Sequence, residues 1–409
     1  MGRGGGHSCA GFSTTTGLLI DVGRINAVRI DAARGTATLG GGALNGDLFR
    51  KVRGGPLFLA VGTCLGVGVG GLTLGGGLGY STRSAGLTCD HLRSSRIVTA
   101  SGDLLDLDAA HHSDLFWACR GGAGGSFGIN TSFTFDLVEV PRKQVSYYVA
   151  EWRGAEAATA AFIAFDEIMR TAPAAFNAVL MAQAAPVAAA GPREAMYVWT
   201  RGQCIGPIAE LWDLLALLLK AAGAPLGLEF YELPFWEAQH RFTDSPSKPH
   251  SFGDISRYAR RPLPQRAVQE MVDLVARCPS RSDVANGSIR NLGWVGGDVV
   301  DALPRTSTAY VHRGMMTLFR PTSVWPNDAP ESVGRALVEW TSEMQDILRP
   351  HTPDESYQNF PSRLIDDWQR EYYAENFPRL VQVKGKYDPG DLFQNPQSIP
   401  PVRPAAGRG

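Results

Sequence analysis

Net charge is almost missing from this chain: 39 basic residues against 40 acidic ones leave a formal charge of −1. That balance removes the electrostatic ground for a nucleic acid or an anionic membrane as partner. No apolar run approaches the ~20 residues that span a bilayer, so no membrane anchor is expected. The opening residues Met1-Gly2-Arg3-Gly4-Gly5-Gly6-His7 lack the apolar stretch of a signal peptide, which leaves the cytoplasm as the default compartment. The six cysteines (Cys9, Cys64, Cys89, Cys119, Cys204, Cys278) contain no CxxC pair. Metal-site spacing is therefore absent, no metal is expected, and a dense disulfide framework is not expected in a chain this large. Internal repeats and low-complexity segments are also lacking.

What the chain has in excess is glycine, 47 residues concentrated in the first third. Glycine destabilises strand and helix interiors, so such enrichment needs a reason, and close approach of backbone to a ligand is the usual one. With 44% hydrophobic and 19% charged residues, the rest of the composition is that of an ordinary soluble globular protein. At 409 residues, two domains or one domain with a large insertion are expected.

From about 17 to 140 the pattern is short strands between glycine turns. Leu18 to Val22, Ala27 to Ile30 and Thr36 to Leu39 are strand candidates, and Gly46 to Val52 a short helix. Ser95 to Ala100 and Gly102 to Leu107 read as a hairpin turning at Ser101-Gly102, and Ile129 to Val140 as a further strand. After Pro141 the composition changes. Apolar residues at helical spacing mark helices over Ala155 to Thr171, Ile208 to Ala222, Pro264 to Arg277 and Glu331 to Leu348. Strands are expected at Met196 to Trp199 and at Thr308 to Leu318, which makes this block α+β, with helices on one face of an antiparallel sheet. The tail after Pro353 is aromatic and basic, with a helix over Tyr372 to Tyr387 and a disordered end from Pro401 to Gly409.

Two glycine clusters could carry chemistry. Consecutive glycines in Arg3-Gly4-Gly5-Gly6-His7-Ser8 let successive N–H groups converge on an anion such as a pyrophosphate. Between Gly62 and Gly79, nine of 18 residues are glycine, which excludes a helix or packed strand by propensity. No lysine follows to make a phosphate loop. The GxGxxG string at Gly66, Gly68 and Gly71 does not open a clear strand–turn–helix unit, so a nicotinamide fingerprint is not met. What remains is backbone lying along an extended ligand, with Cys64 among the glycines.

His7 within Arg-x-Gly-Gly-His-Ser and Cys64 within Gly-x-Cys-x-x-Val-Gly-x-Gly-Gly resemble the berberine bridge enzyme-like branch of the vanillyl-alcohol-oxidase flavoproteins. Gly79-x-x-x-Arg83, Gly86-Leu87-x-x-Asp90, Ser113 to Gly122 and Ser126-Phe127-Gly128-Ile129 follow in the family's order. So do Tyr372-Tyr373-x-x-Asn376-x-x-Arg379-Leu380, Tyr387-Asp388-Pro389 and Gln397 to Pro400. The resemblance implies an α+β fold with a PCMH-type FAD-binding domain. Residues 1–140 would form that domain, 141–352 an inserted substrate domain, and 353–409 a segment returning to the FAD domain. It further implies FAD held covalently, His7 bonded to the 8α-methyl and Cys64 to C6 of the ring. Arg3, Gly4, Gly5, Gly6, Ser8, Gly62, Thr63, Val67, Gly68, Gly70, Gly71, Gly75, Gly128, Ile129 and Asn359 complete the expected cofactor contacts. The family domain normally begins with a further βα unit before the histidine motif, so an N-terminally truncated chain is expected.

Oxidising an alcohol by hydride transfer needs a base for the hydroxyl proton. The family commonly uses a tyrosine. Tyr357, in Tyr-Gln-Asn-Phe where the family often has Tyr-x-Asn-Tyr, is the first candidate; Phe360 cannot serve. Tyr310 is the second, expected in a strand Ala309 to Arg313 facing the ring, with Arg313 favouring its phenolate. Leu72 stands where relatives often have histidine. Gly62 would leave room for dioxygen beside the ring, which favours an oxidase producing hydrogen peroxide. Trp199, Trp294 and Trp325 are candidate cleft aromatics. The expected substrate is an alcohol or hemiacetal carbon of a sugar or natural product. The alternatives are an FAD-linked dehydrogenase with another acceptor, or a truncated, catalytically idle flavin-fold protein.

Overall fold

The computed structural model describes residues 1–141, 144–186, 191–243 and 250–402. The disordered end expected from Pro401 lies, from residue 403 on, outside the described residues.

Two antiparallel sheets organise the chain. The first has five strands in the order Val28–Asp31, Thr36–Gly40, Ile129–Asp136, Leu92–Val98, Leu104–Leu107. Alternation along Thr36–Gly40 sends Ala37 and Leu39 into a core with Phe133 and Phe135. Ile365, Tyr372, Tyr373, Leu380, Val383 and Ile399 of the tail join that same core, although more than 220 residues separate them from its strands. The second sheet runs Gly227–Leu233, Val145–Arg153, Tyr197–Ile205, Phe176–Gln183, Asn286–Leu292, Thr317–Trp325, Ser251–Asp254, with Arg257–Ala259 also on Thr317–Trp325. One of its faces is covered by helices Ala155–Thr171, Ile208–Ala222, Gln265–Ala276 and Glu331–Leu348. In the first of these, Ala158, Ala161, Phe162, Phe165 and Ile168 form the apolar stripe that the 3.6-residue period requires, and all are buried. The other face of the sheet remains open to a cavity.

Local periodicity placed these helices to within a residue, and they are found where it put them. Other expectations are corrected. Thr308 to Leu318 is not a strand; regular pairing begins at Thr317. Its first part gives its N–H groups to carbonyls at the end of the helix Ser113–Ala118 and just beyond it instead, Ala309 to Trp117 (3.4 Å) and Tyr310 to Arg120 (3.0 Å). Gly314, at φ +72°, then turns the chain into the sheet. Of Leu18 to Val22 only Ile20–Asp21 pairs, and it does so in parallel with Gly2–Arg3. The tail helix breaks at Ala374 (φ +40°) into Trp368–Tyr373 and Phe377–Tyr387, the latter opened by Pro378.

The tail is fastened by a fully buried ion pair. Lys384 Nζ donates to Asp388 Oδ2 (2.6 Å) and to the carbonyls of Ser126 (2.8 Å) and Phe393 (2.7 Å). Burial works against the Asp388 charge, but Lys384 and two backbone N–H groups hold its pKa below the usual value. Removing only the lysine leaves two buried carbonyls without this donor and a buried carboxylate without its counter-charge, held by backbone N–H groups alone. Lys384→Met is therefore expected to cost about 3–5 kcal/mol, read as a fall in midpoint in urea. An unchanged midpoint would show that the tail is not part of the cooperative unit.

Candidate functional site

The open face of the larger sheet and the glycine loops enclose one cavity of about 880 Å³. Its floor is made by alternate residues of four strands: Val179 and Gln183, Trp199 and Arg201, Asn286 to Leu292 in steps of two, and Arg320, Thr322 and Val324. Period two explains why Trp325 is not among them; it points the other way, onto Gly334 of the helix behind. Trp199 and Trp294 do reach the cavity.

The opposite wall is made by both glycine clusters. Arg3, Gly4, Gly5, Gly6, His7 and Ser8 line it, as do Gly62, Thr63, Cys64, Val67, Gly68, Gly70 and Gly71. The two loops cross with backbone touching backbone. A Cβ on Gly68 would sit 2.5 Å from the Gly5 nitrogen, and one on Gly66 3.1 Å from His7 Nε2. No side chain fits at the crossing, and that requirement brings His7 and Cys64 to one cavity. Gly68→Ala is thus expected to separate the loops, purifying without yellow colour; a normal visible spectrum would refute the crossing as the cofactor seat.

Asn45, unnoticed in the sequence, holds the second loop. Its Nδ2 donates to the carbonyls of Gly62 and Cys64, each at 3.1 Å. Arg3 is held by Asp21 at 2.7 Å, which fixes the start of the first loop. His7 is solvent-exposed, yet partial desolvation by its surroundings lowers its pKa and favours the neutral imidazole. Burial pushes the neighbouring Cys9 thiol up to about 12, and Asp254 adds to the effect.

Gly128, Ile129 and Asn359 also line the cavity, together with Tyr357, Gln358 and Phe360. The Tyr357 Oη accepts from the Gly77 N–H (2.9 Å) and from Asn359 Nδ2 (3.1 Å). Burial pushes the Tyr357 pKa up, and these two donors oppose the shift. Arg320, a second residue missed in the sequence, stacks its guanidinium 3.7 Å from the Phe360 ring centre and pairs with Asp254 at 2.6 Å. Its only sequence signal was that it is the one charged residue of the strand Thr317–Trp325.

Two expected site residues stand away from the cavity wall. Gly75 packs against the Asn359 side chain, where a Cβ would overlap the amide, so its role is to admit Asn359. Tyr310 is fully buried behind Gly76 and Gly121, its hydroxyl paired with Tyr258 Oη at 2.9 Å. Burial raises its pKa well above the ordinary value. Arg313 does not reverse this, because Asp90 engages its guanidinium at 2.6 and 3.0 Å. Among the described residues no cluster of three or more His, Cys, Asp or Glu side chains could hold a metal. No helix there is long and apolar enough to cross a membrane.

The cavity fits an FAD on two grounds. Its volume lies in the upper part of the ~300–1,000 Å³ range of cofactor and ligand sites. Its glycine wall also presents bare backbone where a Cβ could not be placed. Residues 1–108 match the FAD binding domain family, and residues 356–400 match the berberine and berberine-like family. The FAD-linked oxidoreductase YgaK of Bacillus subtilis (strain 168) is 33% identical, over 98% of this chain and 85% of that protein. Among solved structures, Physcomitrella patens BBE-like 1 superposes with a TM-score of 0.85 at 25% identity, covering 98% of this chain and 86% of that one. A chitooligosaccharide oxidase superposes at 0.84 and 26% identity with the same coverage. A large cavity walled by two glycine loops, and relatives matching along nearly the whole chain, place this protein among the berberine bridge enzyme-like FAD-linked oxidoreductases.

Proposed function

We propose that this protein oxidises an alcohol or hemiacetal carbon of a sugar or natural product and passes the electrons to dioxygen. The observation that carries the reading is the convergence of His7, Cys64 and Tyr357 on one cavity. In this reading residues 1–140 and 353–409 hold the FAD, and 141–352 supply the substrate floor. His7 and Cys64 would hold the ring from two loops, while Arg3, Gly4, Gly5, Gly6 and Gly68 offer backbone to the pyrophosphate. The flavin, when bound, supplies the acceptor for the hydride that leaves the substrate carbon.

The chain's own part is proton handling and orientation. Tyr357 takes the hydroxyl proton as the carbon–hydrogen bond breaks, and its two N–H donors stabilise the phenolate it starts from. Trp199 and Trp294 offer flat apolar surfaces to a pyranose or aromatic ring. A sugar is favoured by the likeness to a chitooligosaccharide oxidase.

The test is to incubate the holoenzyme in air with a panel of mono- and oligosaccharides and benzylic alcohols, following oxygen uptake and peroxide. One peroxide per dioxygen with a sugar is the expected result. Substrate-dependent bleaching that only a quinone dye reverses would make it a dehydrogenase. No bleaching with any alcohol would refute the substrate class.

A further inference from the structure

A second, smaller cavity of about 60 Å³ lies behind the Cys64 loop, and it shares Gly62, Thr63 and Tyr80 with the walls of the large one. Its lining is largely apolar and runs from the buried Leu48 and Phe235 out to the half-buried Phe49 and Trp236. That volume is several times the ~15 Å³ a water-sized probe needs, and apolar cavities of this kind take up xenon and similar small apolar guests. Gly62 is the shared wall. A Cβ there would be in ordinary van der Waals contact with Asn45 Nδ2 (3.4 Å), Leu72 (3.5 Å) and the Leu78 carbonyl (3.6 Å), so the bare glycine leaves about one methyl's width between the two cavities.

We infer that this cavity is the passage by which dioxygen reaches the flavin edge and peroxide leaves. The inference rests on the oxidase reading above. Dioxygen is small, apolar and uncharged, and it has no use for the arginine-bearing floor where a polyol substrate would lie. At the inner end it gains two electrons from the reduced flavin and two protons, and it departs as hydrogen peroxide. A polar detail suits that product. Asn45 lines the same cavity, is 1% exposed, and its Oδ1 has no hydrogen-bond partner although its Nδ2 has two. Buried acceptors are normally satisfied, and peroxide carries two O–H donors. A separate rear entrance would let oxygen arrive while product still covers the ring from the front.

The experiment combines a structural and a kinetic readout on the holoenzyme. Crystals pressurised with xenon are expected to show it beside Leu48 and Phe235. Leu48→Phe, with Val52→Phe as a second plug should the first not fold, is expected to remove the xenon. In stopped flow, holoenzyme reduced anaerobically with dithionite is mixed with oxygenated buffer. Each plug should slow reoxidation by dioxygen at least tenfold and leave reoxidation by a quinone dye from the front within twofold. Fast wild-type reoxidation that both plugs leave unchanged would overturn the passage while the oxidase reading stands. A wild type that dioxygen barely reoxidises, but the dye does, would overturn both.

Discussion

The purified protein, denatured in acid and weighed, is expected to exceed its calculated mass by one FAD. Two bonds would have to form, each replacing one hydrogen of the side chain and one of the flavin, with the two electrons passed on to dioxygen. The neutral imidazole that partial desolvation favours at His7 is the nucleophilic form. Cys64 supplies a sulfur, and a thiolate is a good nucleophile toward an electron-poor ring. The crossing of the loops at Gly5 and Gly68 puts both side chains on one cavity before any flavin enters. His7→Ala and Cys64→Ala should each keep the added mass through the remaining bond. The double variant should release its flavin on denaturation. Each bond removed is expected to lower the flavin potential by ~30–60 mV, tenfold to a hundredfold in the two-electron equilibrium. A single variant that loses all covalent flavin would show that the other residue makes no bond. Unmodified mass in the wild type, with yellow colour, would reduce the proposal to tight non-covalent binding.

Tyr357→Phe is expected to lower kcat by about 10²–10⁴ while flavin content is retained, because it deletes the proton acceptor and little volume. The pH profile gives the sharper reading. The active form is the phenolate, and burial raises the Tyr357 pKa, so kcat/KM should still be climbing on the alkaline side of neutrality. Asn359 donates to the phenolic oxygen and so pulls that pKa down. Asn359→Leu should move the rising limb to higher pH and leave the plateau closer to wild type. A profile unaltered by either substitution would remove Tyr357 from the chemistry. Tyr310→Phe serves as the contrast: off the cavity and bonded to Tyr258, it should change stability more than the pH profile.

Short-range patterns were legible. Helices Ala155–Thr171, Ile208–Ala222 and Glu331–Leu348 carry their own apolar stripes, and Pro350 follows the last of them, so their limits could be read from neighbouring residues. The glycine clusters were legible for a related reason, since only a steric demand explains nine glycines in 18 residues. Tyr310 and Trp325 were misplaced because their surroundings are set from afar. The N–H of Tyr310 finds its carbonyl at Arg120, and Trp325 differs from the cavity-facing Val324 only by the parity of a strand whose register distant partners decide.

By itself, then, the sequence determined the family, the cofactor, the helices over the sheet and the two loops bearing His7 and Cys64. The helices and the loops follow from composition and period within a few tens of residues, and the family and cofactor from the resemblance that the motifs around them carry. Tertiary structure alone decided which of the two candidate tyrosines lines the cavity, that Asn45 and Arg320 belong to the site, and that Gly75 serves Asn359. Those depend on contacts between separate segments, from 17 residues apart for Asn45 and Gly62 to 280 for Gly77 and Tyr357, where backbone hydrogen bonds and close packing, with no local signature, select the neighbour.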